Sequence, residues 1–93
     1  TVAENNTRAD NLMRQLRRFA VQRRECGVDF NSTKTEKHYI YYNYDDNELR
    51  TTYMFYAKHF GAIHFDSEET AQAAMDEFHD ELIWYFTEYK DSL

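Results

Sequence analysis

The chain has 93 residues, with two Gly, no Pro and one Cys, and its 17 acidic and 11 basic side chains give a formal net charge of −6. At 42% hydrophobic and 17% aromatic it carries too much apolar surface for a disordered acidic tail, and its length suits one domain with a modest core. No apolar run approaches the ~20 residues of a membrane span, no signal-peptide pattern opens the sequence, and Cys26 has no second cysteine to pair with, so a reducing, cytoplasmic setting is expected.

The charge is divided along the chain. Residues 1–27 hold six arginines against three carboxylates, a net of +3, and the remaining residues hold five basic and 14 acidic groups, a net of −9. Such a dipolar chain can pair its own parts, associate head to tail, or offer an acidic face to a basic partner.

From Glu4 to Cys26, the residues Ala9, Leu12, Met13, Leu16, Phe19 and Ala20 recur at the spacing of one helical face, and Gly27 supplies a left-handed stop. Arg14, Arg17, Arg18 and Arg24 fall within a sector of about 120° away from that stripe and form an exposed strip. Residues 28–36 have no period and read as a connection. The Tyr-rich run Lys37–Tyr44, the turn cluster Asp45-Asp46-Asn47 and the alternating run Glu48–Tyr56 predict a β-hairpin, and Ala62–Phe65 predicts a short third strand.

Asp66, with Glu69 three residues on, has capping-box spacing, and Ser67 competes as the cap. A second helix over residues 67–89 then carries the long stripe Ala71, Ala74, Met75, Phe78, Leu82, Tyr85, Phe86 and Tyr89. The expected fold is α+β in one domain: an N-terminal helix over 4–26, a three-stranded antiparallel sheet over 37–65 and a C-terminal helix, with both helices able to pack on the sheet.

Trp84 stands out because a straight wheel places it about 160° from the centre of the stripe, among Glu77, Asp80, Glu81 and Glu88. An aromatic anchor ringed by polar groups is how protein interfaces are commonly built, whereas packing of Trp84 under the first helix is the structural alternative. Asp76, Glu77, Asp80, Glu81, Trp84 and Glu88 are therefore the candidate partner-binding face, and Arg14, Arg17, Arg18 and Arg24 are a second candidate contact strip. The hairpin tyrosines read as cross-strand packing, since their surroundings lack the basic groove of a nucleic-acid stacking platform.

The order helix, three strands, helix is also that of double-stranded-RNA-binding domains. Those contact phosphate through lysines at the start of the second helix, where this chain has Asp66-Ser67-Glu68-Glu69, so that reading is rejected. His38, His59, His64 and His79 match no zinc spacing and have no accompanying nucleophile. No catalytic residue, metal or cofactor is assigned, and an enzyme is not expected.

The runs Lys37-His-Tyr-Ile-Tyr-Tyr-Asn-Tyr-Asp-Asp-Asn-Glu-Leu-Arg50 and Gly61-Ala-Ile-His-Phe-Asp-Ser-Glu-Glu-Thr-Ala-Gln-Ala-Ala-Met75 resemble small phage and prophage accessory proteins. In that group a Tyr-rich hairpin steps through a Glu-Glu-x-Ala motif into a terminal helix. The resemblance covers about residues 36–89 and implies a non-enzymatic protein that works in the cytoplasm of a host cell. Anti-CRISPR inhibitors of Cas nucleases are the best-known class of that kind. The expected function is thus inhibition of a Cas9-type defence nuclease by an acidic face that occupies its nucleic-acid-binding surface, without direct nucleic-acid binding. The alternative is a self-assembling structural or regulatory phage protein, a homodimer joined through Leu12, Leu16 and Phe19, with the Arg strip turned toward nucleic acid.

Overall fold

The computed structural model describes residues 1–24, 28–56 and 63–89. The expected cap Gly27, together with Cys26, Lys58, His59 and Ala62, lies outside the described residues.

Helix α1 spans Val2–Gln22. It starts earlier than the stripe predicts because Thr1 caps it, its hydroxyl accepting from the Glu4 amide at 3.2 Å. The stripe faces inward as expected, with Ala9, Leu12, Leu16, Phe19 and Ala20 buried. Strands β1 (Lys37–Asn43) and β2 (Glu48–Met54) pair antiparallel in an unbroken register from Lys37↔Met54 to Asn43↔Glu48. Asn47 turns the chain with φ 58°, a left-handed conformation that Asn tolerates better than most residues. Asp45 donates its amide to Asn43 Oδ1 at 2.9 Å and fixes the entry to the turn.

The predicted third strand is reduced to one bridge, in which His38 N donates to Phe65 O at 3.0 Å and Phe65 N to His38 O at 2.7 Å. The sheet therefore has two strands among the described residues. After Phe65 the chain turns almost at once into a helix, because Ser67, in extended conformation, accepts the Thr70 amide at 3.1 Å and serves as the cap. Ser67 and not Asp66 thus opens α2 (Glu68–Glu77).

The single helix predicted over 67–89 is broken. At Phe78 the backbone leaves the helical region (φ −108°, ψ 23°), α3 runs over His79–Trp84, and a π-helical turn covers Tyr85–Tyr89. The break sits where the Phe78 ring packs edge-on against Phe19 at 5.9 Å. The hydrogen-bond chain is kept through the bend, since Phe78 N donates to Ala74 O and Leu82 N to Phe78 O, both at 2.9 Å.

Helix α2 touches both strands and also α1. It thereby forms a middle layer, in place of the expected arrangement with both helices on the sheet. Ala71 and Ala74 are fully buried in it, and their small side chains suit an element covered on two sides. The core joins Leu12, Leu16 and Phe19 of α1 to Phe65, Met75 and Leu82, with Ile40 and Leu49 of the hairpin packed against it. Burial of each such side chain stabilises the fold by about 1.5–3 kcal/mol. The mixed α+β class holds. Pairing of two copies through Leu12, Leu16 and Phe19 does not fit this fold, because all three are spent inside their own core.

Candidate functional site

Trp84 is the main correction at the site. It is 8% exposed, so the exposed anchor expected from a straight wheel is replaced by the alternative of packing against the first helix. The Arg8 guanidinium lies 4.0 Å from the centre of its ring, and the Tyr89 ring is 5.3 Å away on centroids. Arg8 also forks onto Glu81, with Nε donating to Oε2 at 2.9 Å and the terminal nitrogen to Oε1 at 2.6 Å. A bidentate pair of this kind is the stronger form of an arginine–carboxylate contact. It holds the Glu81 carboxyl below the usual carboxylate range, chiefly through the Arg8 hydrogen bonds, which outweigh the opposing effect of burial, with the Arg8 charge adding a smaller push in the same direction.

The reason Trp84 goes inside is that α3 and the π turn that follows it are covered on two sides. Leu82 is buried in the core, Phe86 stacks on Tyr42 of the hairpin at 6.2 Å, and Tyr44 donates its hydroxyl to Phe86 O at 3.1 Å. On the other side, Tyr89 donates to Asn6 Oδ1 at 2.8 Å and Arg8 covers Trp84. Arg8 is the residue that sequence reasoning missed. Its signal was present: it lies one helical turn before Leu12, at the edge of the buried stripe and off the arginine strip.

The remaining acids stay outside. Asp76, Glu77, Asp80 and Glu88 are exposed, as are Glu68 and Glu69 at the start of α2. Asp76 accepts from Gln72 at 3.3 Å and Asp80 meets His79 at 3.1 Å, but among the described residues Asp76, Glu77 and Glu88 have no cation within ion-pair distance. Arg14, Arg17, Arg18 and Arg24 are exposed as expected and likewise have no carboxylate partner among the described residues. Arg24 lies instead over the Phe30 ring at 4.4 Å. The acidic and basic strips meet in a groove of about 290 Å³, where Arg18 and Arg23 stand across from Glu77 and Phe78.

The three described histidines do not converge, and the approach of His59 to His64 lies outside the described residues. His38 is buried and meets Glu36 at 3.0 Å, His64 sits between the rings of Phe30 and Tyr39, and His79 is exposed beside Asp80. Among the described residues no group of three His, Cys, Asp or Glu could hold a metal ion, and no helix is long and apolar enough to cross a membrane. The hairpin tyrosines make ring contacts within the molecule, Tyr42 edge-on to Tyr44 at 4.9 Å and Tyr53 across from His38 at 5.5 Å, but Tyr44, Tyr53 and Tyr56 stay exposed.

Lys37 is a second residue that sequence reasoning missed, in this case without a sequence signal. It is 2% exposed, and its ammonium donates to Ser32 O at 2.7 Å, Thr35 O at 3.1 Å and Phe55 O at 2.6 Å. Three carbonyls account for all its protons, which is how a buried ammonium avoids an uncompensated desolvation cost. Comparison with protein-family models, with curated proteins and with solved structures gives no match.

Proposed function

We propose that the chain is a non-enzymatic binding protein whose acidic face engages the cationic, nucleic-acid-binding surface of a partner protein. The observation that supports this is the set of exposed carboxylates along α2, α3 and the π turn: among the described residues Asp76, Glu77 and Glu88 have no cation within ion-pair distance, and Asp80 pairs only with a histidine. A folded strip of carboxylates can substitute for a run of phosphates in a basic channel, where complementary potential speeds association and fixes the register. Trp84 and Glu81 then act from behind the face, since Arg8 holds both, and the contact set is Asp76, Glu77, Asp80 and Glu88.

Following the resemblance to phage accessory proteins, the target class is a host defence nuclease of the Cas9 type, whose guide and target strands lie in a positively charged channel. The test is the protein added to such a guided nuclease, with DNA binding and cleavage as readouts. Inhibition is expected to weaken steeply with added salt and to be lost in Asp76→Lys/Asp80→Lys. Inhibition unchanged by salt or by the charge reversal would overturn the mechanism, and its absence across guided nucleases would overturn the target class.

A second reading rests on Arg14, Arg17 and Arg18, exposed cations without carboxylate partners among the described residues. On that reading the strip contacts nucleic acid directly, and a DNA shift lost in Arg14→Ala/Arg17→Ala/Arg18→Ala would favour it over mimicry.

A further inference from the structure

The hydrogen-bond directions in the sheet can be worked out from the His38–Phe65 bridge. His38 exchanges both of its main-chain bonds with Phe65 and therefore points its N–H and C=O away from β2. Main-chain groups alternate along a strand, so Lys37, Tyr39, Tyr41 and Asn43 make the bonds to β2. Their partners Met54, Thr52, Arg50 and Glu48 are thereby satisfied, and Leu49, Thr51 and Tyr53 turn their N–H and C=O to the outer edge of β2. No main-chain bond to these three residues from outside the hairpin occurs among the described residues.

Charges at Glu48 and Arg50 guard only the first half of this edge. From Thr51 to Met54 it carries no charge and no Pro, and the register contains no bulge. Tyr53 is 56% exposed beside it. A two-stranded ribbon is also a marginal unit that gains from further strands.

We propose that β2 is a self-pairing edge, and that two copies of the chain join antiparallel about a two-fold axis at Thr51 to form the four-stranded sheet β1-β2-β2-β1. The occupant is a second copy because the edge is its own complement. With Thr51 opposite Thr51, Leu49 falls opposite Tyr53 of the other copy, and every outward N–H and C=O of these three residues finds a partner. Leu49, partly buried against the core, then covers the exposed Tyr53 ring of the other copy, an aliphatic–aromatic cross-strand pair made twice by symmetry. Glu48 falls opposite Met54 and Arg50 opposite Thr52, so no like charges face each other directly. A centre at Tyr53 would instead call on Phe55 O, which already accepts from Lys37.

The test is sedimentation velocity of the full chain from micromolar to millimolar concentration, combined with amide hydrogen exchange. The expected result is a mass rising from 11.3 kDa to twice that value. The amides of Leu49, Thr51 and Tyr53 should gain protection as the dimer forms, while that of Thr52 stays unchanged. Thr51→Pro removes one outward donor without touching the bonds to β1, and Tyr53→Lys places a charge on the edge; each should weaken association by about tenfold or more with an unchanged far-UV spectrum. If Thr51→Pro fails to fold, Tyr53→Lys decides. A monomer at every concentration would overturn the proposal, including the case in which only a foreign peptide strand binds the edge, and so would a dimer that survives Tyr53→Lys.

Discussion

Trp84 shows how one side chain can change meaning between a helical wheel and a folded chain. Held between Arg8 and Tyr89, it is a structural residue, and Trp84→Ala should destabilise the protein by about 3 kcal/mol. For a chain of this size that lowers the melting temperature by on the order of 10–20 °C. A thermal melt followed by circular dichroism checks this, and an unchanged midpoint would place the indole outside the core after all. Lys37 makes a comparable case from a charged residue. Lys37→Met keeps the aliphatic stem but strips three buried carbonyls of their donor, and urea unfolding should show a loss of about 2 kcal/mol. Neither role could be read from its neighbours in sequence, because the groups that define it come from elsewhere in the chain.

At the scale of elements, the C-terminal segment is where pattern and structure part most clearly. Its stripe from Ala71 to Tyr89 is regular enough to predict one straight helix, yet Phe78 bends it and the last turn widens to a π geometry. The stripe keeps its inward phase beyond the bend, where Leu82 is still in the core, but a wheel shows one buried face only and cannot show that Arg8 of α1 covers Trp84 from the other side. The start of α2 was legible, since Ser67 and the acids after it form a local signal. Ser67→Ala should cost about 1 kcal/mol by removing the acceptor for the Thr70 amide, whereas Ser67→Asp should retain most of the stability. Denaturant midpoints for the two variants would show whether the cap matters. The hairpin was legible for the same reason: alternation and the Asp-Asp-Asn turn are short-range features, and the register follows from them.

Across the whole molecule, the Arg8–Glu81 pair ties α1 to α3 over 73 positions of sequence. Because the folded state holds the Glu81 carboxyl below its ordinary range, the pair's contribution is complete above that range and fades as the pH falls through it. Melting temperature should therefore drop on acidification below about pH 4, and Glu81→Gln should flatten that part of the profile. Tyr85 acts at the other extreme. Burial, and to a smaller degree Tyr89, push its phenol upward, so its contribution is present through neutral pH and is lost as the pH rises past the ordinary tyrosine range. Between those limits the molecule presents an acidic strip and an arginine strip that meet along one groove, the arrangement on which both functional readings draw.

The sequence by itself determined the mixed class, the inward stripe of α1, the hairpin, the start of α2 and the exposure of the arginine strip, because each depends on periodicity or on a signal spanning a few residues. Only the tertiary structure decided that Trp84 is covered, that Glu81 is held by Arg8, that Lys37 is buried among carbonyls, and that the third strand shrinks to a bridge at Phe65. These outcomes depend on which surfaces meet, and that is set by packing between α1, α2, α3 and the hairpin. Net charge offers the same lesson: −6 describes the chain, but the fold decides which carboxylates are spent on internal partners and which remain to face another molecule.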